Sequence, residues 1–233
     1  MSDITAALDK LIEAAEDGIA LDGETQAPIA EIPSYAIDTF DGFPTLYDDE
    51  PPPHGAQWLA TFADAMKHVE NGGIVALVGN HGAGKGRMAH EIAKQTKMRN
   101  ITIPRHQWAM KHVPVIRPAI YRTAMEVFIE LRSTYSPKAT ASEWEKMSAY
   151  ENASLLIIDE LQVRGETKFE DGKLTTIIDK RYRQKRPTIL IANLSVEQLA
   201  GQLSDAVNDR IRESGRIYQC NWQSYRKQTT HTK

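Results

Sequence analysis

The segment Gly79-Asn80-His81-Gly82-Ala83-Gly84-Lys85-Gly86-Arg87 carries the residue types and spacing most suited to chemistry in this chain. It satisfies G-x-x-x-x-G-K, the pattern of a loop that wraps phosphate groups. Gly79, Gly82 and Gly84 allow tight backbone turns, so that amide N–H groups and the start of a following helix point at an anion. Lys85 would sit on the β- and γ-phosphates of a bound nucleotide, and Asn80, His81, Ala83 and Arg87 fall within the same binding segment. The pattern calls next for Ser or Thr, whose hydroxyl ligates Mg²⁺, and this chain has Gly86 instead. That loss weakens metal placement more than nucleotide binding. His81 reads as a solvent-facing spacer.

A second chemical feature is Ser154-Leu-Leu-Ile-Ile-Asp159-Glu160, an apolar run that ends in two carboxylates. Such a strand is expected beside the phosphate-loop strand. Asp159 would then hold Mg²⁺ directly or through water, and Glu160 would orient and deprotonate an attacking water. Asn193, at the end of Thr188–Ala192, has two readings. Its amide either positions the water or the γ-phosphate, or it starts a turn and caps the helix that begins near Ser195. Arg210 and Arg212 share one helix. An arginine there either reaches a neighbouring subunit's nucleotide, where it would stabilise developing charge, or pairs locally with Asp205, Asp209 or Glu213.

Positioning these groups requires alternating strands and helices. Ile74–Val78 reads as a buried strand leading into the loop and Gly86–Lys94 as the helix leaving it. Further strands are expected at Val113–Tyr121, Leu155–Ile158, Thr188–Ala192 and Arg216–Cys220. Helices are expected at 56–70, Thr123–Arg132, Ser142–Tyr150, Asp171–Arg183, Ser195–Leu203 and Asp205–Arg212. The alternation predicts an α/β fold, a parallel five-stranded sheet between layers of helices. Ahead of it, Ile4–Ile19 has the apolar spacing of a short amphipathic helix, followed by an acidic, Pro-rich linker over 21–55. Residues 97–112 read as an irregular basic insertion, and 227–233 as a flexible tail.

Composition narrows the function classes. An apolar share of 41% and a charged share of 25% are ordinary for a globular protein. No apolar run approaches the roughly 20 residues of a membrane span, and the N-terminus lacks signal-peptide order, so a cytoplasmic protein without membrane contact is expected. The one cysteine, Cys220, has no disulfide partner and reads as a small buried residue. The net charge of −3 conceals an asymmetry: residues 1–55 hold 13 acidic residues against Lys10, and residues 56–233 hold 27 basic against 18 acidic. The basic body suggests nucleic acid, although a solvated surface with an acidic tail accounts for the charge equally well. The run Lys180-Arg-Tyr-Arg-Gln-Lys-Arg186 sharpens the first reading through its interleaved Tyr182, and Tyr225-Arg226-Lys227 repeats the combination. Cations at a helix end also suit the helix dipole without any partner.

Over roughly residues 70–226 the chain resembles the DnaC-type replicative helicase loaders, a branch of the AAA+ ATPases that also holds the IstB-type transposition helpers. The likeness is carried by G-N-H-G-A-G-K, L-L-I-I-D-E-L, I-I-D-K-R-Y-R-Q-K-R-P-T, D-R-I-R and the hexapeptide N-W-Q-S-Y-R at Asn221–Arg226. The resemblance implies a P-loop AAA+ core that binds ATP with Mg²⁺, self-associates into a ring or spiral on a replicative hexameric helicase, and helps place that helicase on single-stranded DNA. By matched motif it makes Lys85 the phosphate lysine, Asp159 and Glu160 the metal and water residues, Asn193 the sensor, and Arg210 the arginine finger. By position alone it gives helicase contact to residues 1–20. The short stretch after Arg226 implies a core without a C-terminal helical lid, and a compact, diverged form of this kind would suit a phage or an integrated element. The shared core also admits a transposition helper, and Gly86 admits a nucleotide-gated adaptor that does not hydrolyse.

Overall fold

The computed structural model describes residues 40–46, 55–96, 118–165 and 167–225. The expected helix at Ile4–Ile19, most of the acidic linker, the basic insertion at 97–112, Arg226 and the tail lie outside the described residues, as do Val113–Arg117 of one expected strand. Residues 39–97 and 117–233 form one compact unit.

In chain order the elements are β1 (Phe40–Asp41), α1 (Ala56–Glu70), β2 (Ile74–Gly79), α2 (Lys85–Gln95), β3 (Ala119–Thr123), α3 (Ala124–Ser133), α4 (Glu143–Asn152), β4 (Leu155–Asp159), a 3₁₀ turn (Leu161–Val163), α5 (Lys168–Arg183), β5 (Thr188–Ala192), α6 (Val196–Gln202), α7 (Asp205–Ser214) and β6 (Arg216–Cys220). The strands pair in parallel in the order β1-β3-β4-β5-β2-β6. Two expectations are corrected. The sheet has six strands where five were expected, because Phe40–Asp41 of the presumed linker pairs with β3. A two-residue strand is too short to show any alternation in sequence. The carboxylate strand β4 is not the neighbour of the phosphate-loop strand β2, since β5 lies between them. Parallel pairing is made through crossovers and leaves no trace in local sequence.

Strand residues alternate between two cores. Ile74, Ala76, Val78, Leu156, Ile158 and Leu190 face α3 to α7, whereas Val75, Leu77, Ile157, Ile189 and Ile191 face α1 and α2. Coverage on both faces explains why β2 and β5 read as unbroken apolar runs. Three helices start on reciprocal capping boxes: Thr123 with Glu126, Ser142 with Glu145 and Ser195 with Gln198. Thr167 caps α5, so this helix begins at Lys168, three residues before the sequence expectation.

Within the basic run at the end of α5, Lys180, Arg183 and Lys185 are exposed and Arg181 is turned inward. Arg181 is fully buried and donates to the carbonyls of Tyr150, Glu151, Ala153 and Pro187 and to Thr188 Oγ1. Burial pushes its guanidinium down to about 9, still cationic at neutral pH. Lys180 pairs with Glu151, Arg183 with Asp179, and Arg186 donates to the Asn152 carbonyl. Arg181 is thus a latch that joins α4 and α5 to the start of β5 and is no part of a phosphate-binding strip. Arg181→Met keeps the volume but strands several buried carbonyls. It is expected to lower unfolding free energy by roughly 3 kcal/mol or more, measured by urea titration with unchanged helical circular dichroism in the folded state.

Candidate functional site

The carboxyl ends of β2, β4, β5 and β6 lie at one edge of the sheet, as Val78 pairs with Ala192, Gly79 with Cys220 and Ile158 with Leu190. Ligands of open α/β sheets bind at such an edge. From it the loop climbs through Gly79, Gly82 and Gly84, with φ of 123°, 75° and 76°. A Cβ at Gly79 would lie 2.6 Å from the Cys220 carbonyl oxygen and 2.7 Å from Asn221 Oδ1, so this turn excludes a side chain. Gly84 precedes α2 without a side-chain cap, and no acidic residue occupies the helix's first turn. That arrangement suits an incoming anion.

Lys85 is 5% exposed, and its ammonium donates to the Gly79 carbonyl at 3.0 Å, the Asn80 carbonyl at 2.7 Å and Asn193 Oδ1 at 2.8 Å. Ser195, not Asn193, caps α6, and the Asn193 side chain turns to the loop lysine. The Asn193 backbone N–H donates to Gln162 Oε1 at 3.0 Å, a link between β5 and the 3₁₀ turn that no sequence signal announced.

Asp159 is half-buried. Its Oδ1 accepts from the Glu160 N–H at 2.6 Å and its Oδ2 from the Tyr121 hydroxyl. Burial raises the carboxyl above its ordinary range, although the Tyr121 hydroxyl, the Glu160 N–H and the charge of Lys85 all pull it down. A cation at this carboxylate would reverse the balance. Glu160 is exposed and holds a left-handed backbone, φ 54° and ψ 42°. For a residue with a Cβ, that conformation carries strain of the kind stored at functional sites.

Other expected site residues lie differently. Asn80 and His81 are exposed, and Ala83 is buried beneath the loop. Arg87 is buried in α2 and pairs with Glu91 one turn on, at 2.8 Å. Gly86 lies in the first turn of α2. Arg210 donates to Asp179 at 3.1 Å, approaches Glu213 at 3.6 Å and sits 4.5 Å from the Tyr182 ring centre. None of those partners belongs to the loop or to the carboxylate strand of the same chain. Arg212 pairs with Asp209. Cys220 is buried, which pushes its thiol up to about 12.

The outer side of the loop is clamped. Trp222 Nε1 donates to the Ala83 carbonyl at 2.8 Å, Trp58 Nε1 to that of Gly84 at 3.3 Å, and the Tyr225 N–H to that of Gly82 at 2.9 Å. Trp58 stacks on Phe62, ring centres 5.3 Å apart. With the carbonyls fixed outward, the amides of the loop are left to face inward. Beside the clamp, Gly55–Gln57 and Trp222–Tyr225 line an open cavity of about 360 Å³.

A parallel sheet with a glycine-turned loop, its lysine and a carboxylate strand two places away defines a P-loop nucleotide-binding core of the AAA+ type. A family model described as IstB-like ATP binding protein matches residues 55–233, and the chain belongs to that family. It is 29% identical over 177 residues to the replicative helicase loader DnaC of Escherichia coli (strain K12), a match covering 74% of this chain and 65% of that protein. The chain thus aligns with just under two thirds of the length of this curated relative. To DnaC of Buchnera aphidicola subsp. Baizongia pistaciae (strain Bp) it is 30% identical over 106 residues, 45% of this chain and 43% of that one. Among solved structures, a crystal structure of the DnaC helicase loader matches with a TM-score of 0.52 at 16% identity, covering 74% of this chain and 94% of that one. The replication initiator DnaA bound to AMPPCP and single-stranded DNA matches with a TM-score of 0.55 at 16% identity, covering 78% of this chain and 52% of that one. These two likenesses concern the fold. Among the described residues no helix is long and apolar enough to cross a membrane.

Trp222→Phe removes one loop tether and keeps the ring. Loss of that hydrogen bond, about 1 kcal/mol, is expected to weaken nucleotide affinity about fivefold in a fluorescent-nucleotide titration, with the urea midpoint nearly unmoved.

Proposed function

We propose that this chain is an ATP-dependent loader that binds a replicative DnaB-type hexameric helicase and helps place it on single-stranded DNA when replication starts. The observation that carries the reading is the junction of Lys85 with Asn193 at the strand edge that also ends in Asp159 and Glu160, in a chain 29% identical to a replicative helicase loader. The cradle at Gly79–Gly86 holds the phosphates of ATP, with Lys85 on the β- and γ-phosphates. Bound ATP brings Mg²⁺, which supplies charge neutralisation on the phosphates. Among the described residues no group of three or more His, Cys, Asp or Glu side chains converges as a metal site. One carboxylate, Asp159, fits a cation that takes most of its ligands from phosphate and water.

Glu160 is exposed beside Asp159 and takes the proton of the attacking water, while Asn193 reports on the γ-phosphate through its bond to Lys85. Arg210 serves a neighbouring subunit of a ring or spiral, leaving its bonds to Asp179 and Glu213 when it does so. Residues 1–20 contact the helicase, and the stretch from 21 to the start of β1 links them to the ATPase core. The cytoplasm is the corresponding compartment.

For DNA contact, a second surface besides the Lys180–Arg186 run is the group around Phe169, where Arg132 pairs with Glu170 and Lys173 with Glu143. Tyr135 is 60% exposed, with its ring 6.2 Å from that of Phe169. Arg132 and Lys173 lie 5.4 and 5.6 Å from the Phe169 ring centre. An accessible aromatic flanked by cations can stack a base and hold its phosphate. Tyr135→Ala is expected to weaken single-stranded DNA binding by about 1–3 kcal/mol, roughly 5- to 150-fold. Fluorescence anisotropy at fixed salt measures it, and unchanged affinity would exclude this surface.

Lys85→Ala is expected to abolish nucleotide binding, and Glu160→Gln to retain binding while steady-state hydrolysis falls at least 100-fold. Co-purification with the cognate hexameric helicase, before and after deletion of residues 1–20, tests the loader reading. No complex with the full chain would sink it, and unchanged binding after deletion would move the contact elsewhere. The missing hydroxyl at Gly86 favours one second reading, a nucleotide-gated adaptor without hydrolysis. Turnover that disappears in both Lys85→Ala and Glu160→Gln rules that reading out.

A further inference from the structure

The Asp159 carboxylate is held at both oxygens, by the Glu160 N–H and by the Tyr121 hydroxyl. In a phosphate loop of ordinary composition, the residue after the lysine brings a hydroxyl to the cation that the strand-end Asp also serves. Here that residue is Gly86, and the hydroxyl found on the carboxylate comes instead from β3. In the register of β3 and β4, Tyr121 lies opposite Ile157 and Thr123 opposite Asp159. Tyr121 and Asp159 therefore project on the same sheet face, the one covered by α2, diagonal to each other. The Tyr121 ring is 6% exposed and packs 5.5 Å from Phe43, which in turn lies 5.6 Å from His90 of α2. A phenol fixed in this way holds its oxygen in place at little further entropic cost.

We propose that Tyr121 is a positioning residue that takes over the part of the hydroxyl missing at Gly86: it orients Asp159 and sets a hydroxyl oxygen beside the cation that accompanies the nucleotide. The proposal rests on the nucleotide-binding reading of the loop. It makes Mg²⁺-assisted binding depend on a residue of the third strand, outside both sequence motifs of the site. A purely structural Tyr121, a buried hydroxyl that has found an acceptor, would affect folding but not the response to the cation.

The test measures affinity for a fluorescent ATP analogue in EDTA and in excess Mg²⁺, for the full chain and for Tyr121→Phe, Gly86→Ser and the double variant. The full chain is expected to bind more tightly with Mg²⁺. Tyr121→Phe is expected to lose about tenfold of that gain, as do partners that orient metal ligands elsewhere, with affinity in EDTA unchanged. Gly86→Ser in the Tyr121→Phe background is expected to restore the gain. The proposal is overturned by an undiminished gain in Tyr121→Phe, by an equal loss with and without the cation, or by a loss that Gly86→Ser leaves in place. A full chain that binds nucleotide without any gain from Mg²⁺ also overturns it while sparing the loop reading. A full chain that binds no nucleotide overturns both.

Discussion

A lysine ammonium that is only 5% exposed must find acceptors within the protein, and Lys85 finds them in two loop carbonyls and the side chain of Asn193. Those contacts fix the loop's curvature and join it to β5, the strand inserted between β2 and the carboxylate strand β4. Much else follows from keeping that geometry. The glycines at positive φ let the carbonyls turn toward the ammonium, and the two tryptophans with Tyr225 hold the carbonyls of Gly82, Ala83 and Gly84. The loop is thus braced on both sides before any ligand arrives, which lowers the ordering cost of binding one.

The same edge gathers groups whose preferences conflict. Burial holds the Asp159 carboxyl above its ordinary range, yet two hydrogen-bond donors and the charge of Lys85 act in the opposite sense. Glu160 supplies one of those donors from a strained backbone. Such a site is stable because its neighbours over-determine it. The strand register sets Asp159 and Tyr121 on one face, and Gln162 ties the following turn to the Asn193 amide.

How much of this was legible in the sequence depends on the range over which each feature is encoded. The loop, its lysine and the two strand-end carboxylates were readable because their chemistry is written in consecutive residues. Apart from β1, most of the described helices and strands were readable within a few positions for the same reason, and the Ser195-x-x-Gln198 pattern held the answer to what caps α6. Strand order was not, because β5 reaches its place beside β2 through a long crossover. Nor was the Tyr121–Asp159 contact, which joins residues 38 positions apart, or the inward turn of Arg181, whose acceptors are carbonyls of α4 and β5. A cation's neighbours in sequence say little about whether it faces solvent. The N-W-Q-S-Y-R hexapeptide was recognisable as a family mark, but its work as a clamp on the loop emerged only in three dimensions.

The inward latch at the end of α5 bears on how the chain behaves as a polyelectrolyte. Binding to a nucleic acid draws much of its free energy from counterions released when free cations meet phosphates, and the slope of affinity against salt counts those cations. With Arg181 buried on carbonyls, and Lys180 and Arg183 exposed but paired with Glu151 and Asp179, the nominal charge of this segment overstates what it can offer a phosphate backbone.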